Sequence, residues 1–120
     1  MGESEAAMII SHIFSALKYM HKNGFVHRNI RPETILFESE GGTSDIKFAD
    51  LITATLMSNT RTSEDDKNMD FILRSAPHYR APELLMFKKA YDYKCDLWSC
   101  GCILYNMITG IPPFFEYDDE

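Results

Sequence analysis

The sequence predicts a mainly α chain with one small β-hairpin, and three observations carry that reading. An amphipathic run opens the chain, a nearly all-apolar helical run lies late in it, and two short strand-like runs sit between them. In the first run Ala6, Ile9, Ile10, Ile13, Phe14, Leu17 and Met20 recur at three- and four-residue spacing, which places them on one face of a helix. Glu3 and Glu5 suit the positive end of that helix dipole, and Lys18 and Lys22 suit the negative end. Asn23-Gly24 offers a left-handed stop.

Phe25 to Glu33 reads as a short irregular stretch. Thr34–Phe37 and Ile46–Ala49 then read as the strands of a hairpin, joined by a loop over 38–45 that contains Gly41-Gly42. From Asp50 to about Ala76 no period is visible, and Ser, Thr, Asn and Asp dominate. An unstructured loop of that length inside a compact domain is usually functional or disordered. A short helix is expected after the turn Ala81-Pro82-Glu83. A long one is expected over about 93–109, apolar on nearly all sides through Leu97, Trp98, Cys100, Cys102, Ile103, Leu104 and Ile108. Such a helix belongs at the centre of a protein. Gly110 and Pro112-Pro113 stop it.

With 120 residues the chain is one small domain or part of a larger one. Hydrophobic residues at 45% and charged residues at 25% exclude a wholly disordered chain. The net charge is −6, and four of the negative charges sit in the terminal run at Glu116, Asp118, Asp119 and Glu120. That run reads as a solvated end. The balance argues against a nucleic-acid partner and against a polybasic membrane anchor. Cys95, Cys100 and Cys102 do not have a zinc spacing and lie among apolar neighbours, so they read as buried thiols of a reducing compartment. The acidic N-terminus lacks the positive region of a signal peptide, and Ala6 stands where a myristoylation pattern wants Ser or Thr. The longest apolar stretch, Leu97 to Ile108, spans roughly 18 Å as a helix, short of a bilayer core of about 30 Å. The expected location is intracellular and cytoplasmic, with no membrane partner.

Four stretches follow one another in a meaningful order: His27-Arg28-Asn29-Ile30-Arg31-Pro32-Glu33-Thr34, Lys47-Phe48-Ala49-Asp50-Leu51, Tyr79-Arg80-Ala81-Pro82-Glu83 and Asp96-Leu97-Trp98-Ser99-Cys100-Gly101. Together they resemble the C-terminal lobe of a eukaryotic protein kinase of the serine/threonine type. The resemblance covers the whole chain, 1–120. It implies a catalytic loop over 27–34, an activation segment over 50–83 and a central helix over about 93–109. Residues Asp96 to Phe114 are most similar to calcium/calmodulin-dependent and plant-type calcium-dependent kinases.

Phosphoryl transfer asks a protein for positioning and charge stabilisation. By the resemblance, Asn29 stands at the position of the catalytic Asp. An amide cannot be a general base, and that help is worth about 10²–10⁴ in rate, roughly 3–5 kcal/mol of barrier. Arg31 stands at the catalytic Lys position, where a planar fork replaces a point charge. Thr34 stands at the Mg²⁺-binding Asn position, and a neutral hydroxyl is a weak ligand there. Asp50 is retained as a cofactor-facing and metal-binding carboxylate, for weak Mg²⁺ binding or as a solvated loop residue. Leu51 replaces the family's Phe as an apolar plug, Ile52 replaces its Gly, and Ala76 replaces a Thr of the substrate-binding loop.

The architectural positions His27, Arg28, Glu83, Asp96, Trp98 and Gly101 match the family. The resemblance implies that Asp96 hydrogen-bonds the backbone around His27-Arg28 and that Arg28 pairs with an activation-segment phosphate. It also implies that Glu83 meets an arginine further along, in a region outside this sequence. Thr53, Thr55, Ser58, Thr60, Thr62, Ser63 and Ser75 are candidate phosphate carriers, although ordinary polar-loop hydroxyls beside Glu64-Asp65-Asp66 are the plainer reading. His12, His21 and His78 read as surface or packing residues.

The glycine-rich loop, strand lysine and helix glutamate of the family precede the resemblance, and its last helices follow it. The expectation is therefore a partial kinase fold without an N-terminal lobe. Tight cofactor binding is not expected; ATP and Mg²⁺ enter by family resemblance only. The expected function is that of an inactive, pseudokinase-like chain with a regulatory or scaffolding role. The alternatives are a working serine/threonine kinase whose other parts lie outside this sequence, and an interaction module. An uncovered face of the central helix implies a protein partner or self-association.

Overall fold

The computed structural model describes residues 1–37, 46–57, 77–85 and 91–114. The 38–45 loop, the hydroxyl and acidic series between Ser58 and Ala76, and the terminal acidic run lie outside those residues. In chain order the elements are α1 (Glu3–Lys22), β1 (Phe25–Val26), β2 (Ile35–Phe37), β3 (Ile46–Phe48), β4 (Thr55–Leu56), α2 (Pro82–Leu85) and α3 (Lys94–Thr109). Tight 3₁₀ turns occupy Pro32–Thr34, Leu51–Thr53 and Pro77–Tyr79. The described part is mostly helical with a small hairpin, as its sequence predicts.

The core face of α1 consists of Ala6, Ile9, Ile10, Ile13 and Leu17. Phe14, expected among them, is half exposed. It lies about 100° around the helix from Ile13 and so falls on the flank of the stripe. Burial of Ile13 and Leu17 contributes about 1.5–3 kcal/mol each. The helix ends as expected: the Asn23 N–H donates to the carbonyls of Tyr19 and Met20, and Gly24 takes φ +88°.

In the hairpin, β2 and β3 are antiparallel, with Ile35 opposite Phe48, Leu36 opposite Lys47 and Phe37 opposite Ile46. Thr34 and Ala49, expected inside the strands, lie just beyond them. Thr34 closes the Pro32–Thr34 turn, yet its carbonyl still accepts the Ala49 N–H at 2.7 Å. A second pairing was not foreseen. Phe25 and Val26 of β1 pair with Leu56 and Thr55 of β4, and the Met57 N–H donates to the Gly24 carbonyl. This pairing brings the stretch after α1 beside the stretch after β3.

Helix α3 buries Cys95, Asp96, Ser99, Cys100, Cys102 and Ile103. It stops where Gly110 takes φ +87° and donates its N–H to the Asn106 carbonyl. One core cluster joins Ile9, Ile10, Ile13 and Leu17 of α1 to Cys100, Cys102 and Ile103 of α3, with Ile30 and Tyr79 between them. A second joins Val26, Ala81, Leu84, Tyr91 and Cys95. The three thiols are free and buried. On the other side of α3, Leu97, Tyr105 and Ile108 are exposed, and Trp98 stacks on Phe114 with ring centroids 5.6 Å apart. No described helix is long and apolar enough to cross a membrane.

Candidate functional site

The residues between Val26 and Ile30 form a short loop bracketed by two fully buried apolar side chains, one in each core cluster. Both flanks are therefore fixed, and His27, Arg28 and Asn29 are buried with them. Arg28 holds the loop's turn in the left-handed region, at φ +70°. For a residue with a long side chain this costs of order 1–3 kcal/mol and persists only where surrounding contacts over-determine it.

The contacts that do so come from α3. Asp96, wholly buried in the first turn of that helix, accepts the His27 N–H on Oδ2 and the Arg28 N–H on Oδ1, both at 2.9 Å. Its Oδ2 also lies 2.8 Å from His21 Nε2 at the end of α1. The positive end of the α3 dipole favours a carboxylate there. One side chain thus joins α1, the loop and α3. The sequence alone presents His21 as a surface or packing residue. The available signal was its helical phase, four residues after buried Leu17.

The His27 imidazole lies across the loop. Its Nδ1 accepts the Asn29 N–H at 3.1 Å, and its Nε2 lies 3.3 Å from the Ala49 carbonyl, an arrangement that suits the neutral ring protonated on Nε2. Burial pushes its proton affinity down, against the opposing pull of Asp96. Thr53, grouped with the loop hydroxyls in the sequence, is fully buried and donates to the His27 carbonyl at 2.8 Å. The Arg28 guanidinium is also buried. Its Nε donates to the Thr53 carbonyl at 2.6 Å and its Nη1 to the Tyr91 hydroxyl at 3.0 Å.

Asn29 is buried, and its side-chain oxygen accepts from Arg80 Nη2 at 2.7 Å. Thr34 is fully buried, with its hydroxyl engaged by the main chain. It donates to the Arg31 carbonyl at 2.9 Å and accepts the Arg31 N–H at 3.1 Å. Arg31 and Asp50 are partly exposed, with Nη2 and Oδ2 3.9 Å apart, a pair worth about 0–1 kcal/mol. Asp50 itself takes φ +56° and opens the Leu51–Thr53 turn. That turn has a helical backbone, without the angles that only glycine favours.

Two expectations are corrected by the packing. Leu51 is not seated as a plug: it is 56% exposed. It lines an open apolar recess of about 850 Å³ with Tyr19, Met20, Phe25 and Phe48. Gly101 lies within α3, where a Cβ would find nothing within 4 Å. Trp98 lies at the surface against Phe114 rather than in the core. Glu83 lies in the first turn of α2 and is partly buried.

The residues implied for Mg²⁺ do not fit it. The Thr34 hydroxyl is committed to Arg31, the Asp50 carboxylate faces a guanidinium, and no group of three metal-ligating side chains occurs among the described residues. The thiols offer no nucleophile, because burial pushes all three up, Cys100 to about 12.

Comparison with known families matches the protein kinase domain over residues 1–120. The chain belongs to the protein kinase family. It is 40% identical over 119 residues to the serine/threonine-protein kinase PKH2 of Saccharomyces cerevisiae, covering 95% of this chain and 11% of that protein. It is 40% identical over 120 residues to calcium-dependent protein kinase 4 of Plasmodium falciparum, covering 97% of this chain and 21% of that one. The Plasmodium berghei protein of the same name is 39% identical over the same length. The chain thus spans about a tenth to a fifth of these relatives. Kinase membership brings ATP and Mg²⁺ as the family's cofactors by resemblance.

Two outcomes follow from the geometry. Asp96→Ala strands three donors in or beside the core, at about 1–3 kcal/mol for each fully buried one. A loss of roughly 3 kcal/mol or more is expected in urea unfolding, with Asp96→Asn in between. His27 is held below its ordinary value of 6.5. Its contribution is therefore present above pH 6.5 and is lost as the pH falls toward the lower folded value, because the unfolded chain takes up the proton first. Unfolding measured from pH 7.5 to pH 5 should show stability declining on acidification, with a flatter profile in His27→Gln.

Proposed function

We propose that residues 1–120 are the segment of a kinase C-terminal lobe that runs from the helix before the catalytic loop to the central helix, and that this segment is catalytically inactive. Its role is regulatory or scaffolding. The observation that carries the reading is Asn29, a neutral amide at the position of the family's catalytic carboxylate, buried against Arg80 instead of open to a substrate hydroxyl. An amide takes no proton at neutral pH, so the general-base contribution is gone. Thr34, bound to the main chain, and Asp50, facing Arg31, support the same reading for weak or absent Mg²⁺ binding. In this reading the family's ATP is not held tightly either.

A second reading rests on the exposed face of α3. Leu97, Tyr105 and Ile108 follow one helical stripe, with stacked Trp98 and Phe114 beside it. An apolar face of this kind suits contact with a protein partner or with a second copy.

The protein should transfer no radiolabelled phosphate from ATP to a generic protein acceptor, or transfer it at least about 10²-fold more slowly than its named kinase relatives. Turnover on the order of 1–100 s⁻¹, the ordinary kinase range, overturns the inactive reading. For the second reading, the purified 120-residue chain should bind a hydrophobic dye or dimerise in light scattering, and Tyr105→Glu should reduce either signal. A monodisperse monomer that binds no dye counts against it.

A further inference from the structure

Arg80 precedes the Ala81-Pro82-Glu83 turn and has no part in the site as the sequence alone presents it. Its position is set from both sides. Ser99 Oγ donates to the Tyr79 carbonyl at 2.5 Å, Asn106 Nδ2 donates to the Tyr79 hydroxyl at 2.9 Å, and Ala81 is wholly buried in the second core cluster. The main chain between these anchors turns Arg80 inward, to 5% exposure. There its Nη2 meets Asn29 Oδ1 at 2.7 Å, across 51 residues of sequence, with both side chains buried.

We infer that Arg80 is a positioning residue that holds the side chain at position 29 inside the loop, so that a carboxylate placed there by Asn29→Asp is captured as a buried ion pair instead of standing free to take a substrate proton. The inference rests on the reading of Asn29 as the position of the family's catalytic carboxylate. It deepens that reading, since restoring the acid alone does not restore the base.

The physical case has three parts. Asp and Asn share one shape, so the substitution keeps the 2.7 Å contact and turns an amide oxygen into a charged acceptor. Hydrogen bonds between ions are roughly twice as strong as neutral ones, and burial strengthens them further. Arg80 also has reason to accept an anion. Burial, together with the nearby cations Arg31 and Arg28, lowers it to about 10 from 12.5, which still leaves it charged at neutral pH. A carboxylate clamped by a guanidinium loses proton affinity, so it makes a poor general base.

The test is a four-member cycle on the chain labelled with ¹⁵N-arginine, unmodified, Asn29→Asp, Arg80→Gln and the double variant, with Asn29→Ala as a fifth, control variant. With Arg80 in place, Asn29→Asp should raise the melting temperature by roughly 4 °C. In the Arg80→Gln background the same change should give no rise or a fall. The Arg80 guanidinium N–H signals should move downfield and exchange more slowly in Asn29→Asp, and should lose protection in Asn29→Ala. An equal temperature shift in both backgrounds, or Arg80 signals that ignore position 29, overturns the inference. If Arg80→Gln does not fold, Arg80→Lys replaces it. Lysine keeps the charge without the planar fork, so a smaller rise supports the clamp and an undiminished rise overturns the role of the fork. Phosphate transfer by the unmodified protein would sink the inactive reading, whereas these shifts report on the clamp itself.

Discussion

The buried carboxylate of Asp96 is the constraint on which the rest of the site depends. It sits at the start of α3, where the helix dipole favours a negative charge, and meets three groups from two separate parts of the chain. Two of these are main-chain N–H groups of a loop whose turn residue, Arg28, lies in an unfavourable backbone region. A bidentate anion that takes consecutive N–H groups favours that conformation, because both buried donors are satisfied in it. From there the order spreads outward. The His27 ring is fixed by the Asn29 N–H and the Ala49 carbonyl, and the Arg28 guanidinium by Thr53 and Tyr91.

Much of the architecture could be read from the residues. The stripe of Ile9, Ile13 and Leu17 is a strong periodic signal, and Gly110 marks the end of α3 to the residue. The hairpin was legible because Ile35–Phe37 and Ile46–Phe48 stand out against polar surroundings. The β1–β4 pairing was not, because two-residue strands carry no period and their alignment depends on a contact about 30 residues apart. The burial of Thr53 and the tie between His21 and Asp96 were hidden for the same reason: each needs the fold before the partners meet. Phe14, Leu51 and Trp98 show the converse error. Apolar identity suggested the interior, but each lies at the edge of a packed face, where a large side chain is covered on one side only.

Membership of the kinase family sharpens the contrast between scaffold and chemistry. The buried hydrogen bonds of His27, Arg28 and Asp96 concern shape: they position the loop. Asn29 and Thr34 stand where the family resemblance implies reactive groups, and here Asn29 Oδ1 and the Thr34 hydroxyl are held by internal hydrogen bonds. A hydroxyl that finds partners in the interior, as that of Thr34 does, carries little penalty for the fold.

The bonds from Asp96 to the loop span 68 and 69 residues, and the one to His21 spans 75. Long-range contacts of this kind repay their closure entropy only after both partners exist. During synthesis at about 5–20 residues per second, His27 is made roughly 3–14 s before Asp96. Through that interval the turn at Arg28 has no anion to hold it, so the segment around it matures only after the start of α3 has followed it.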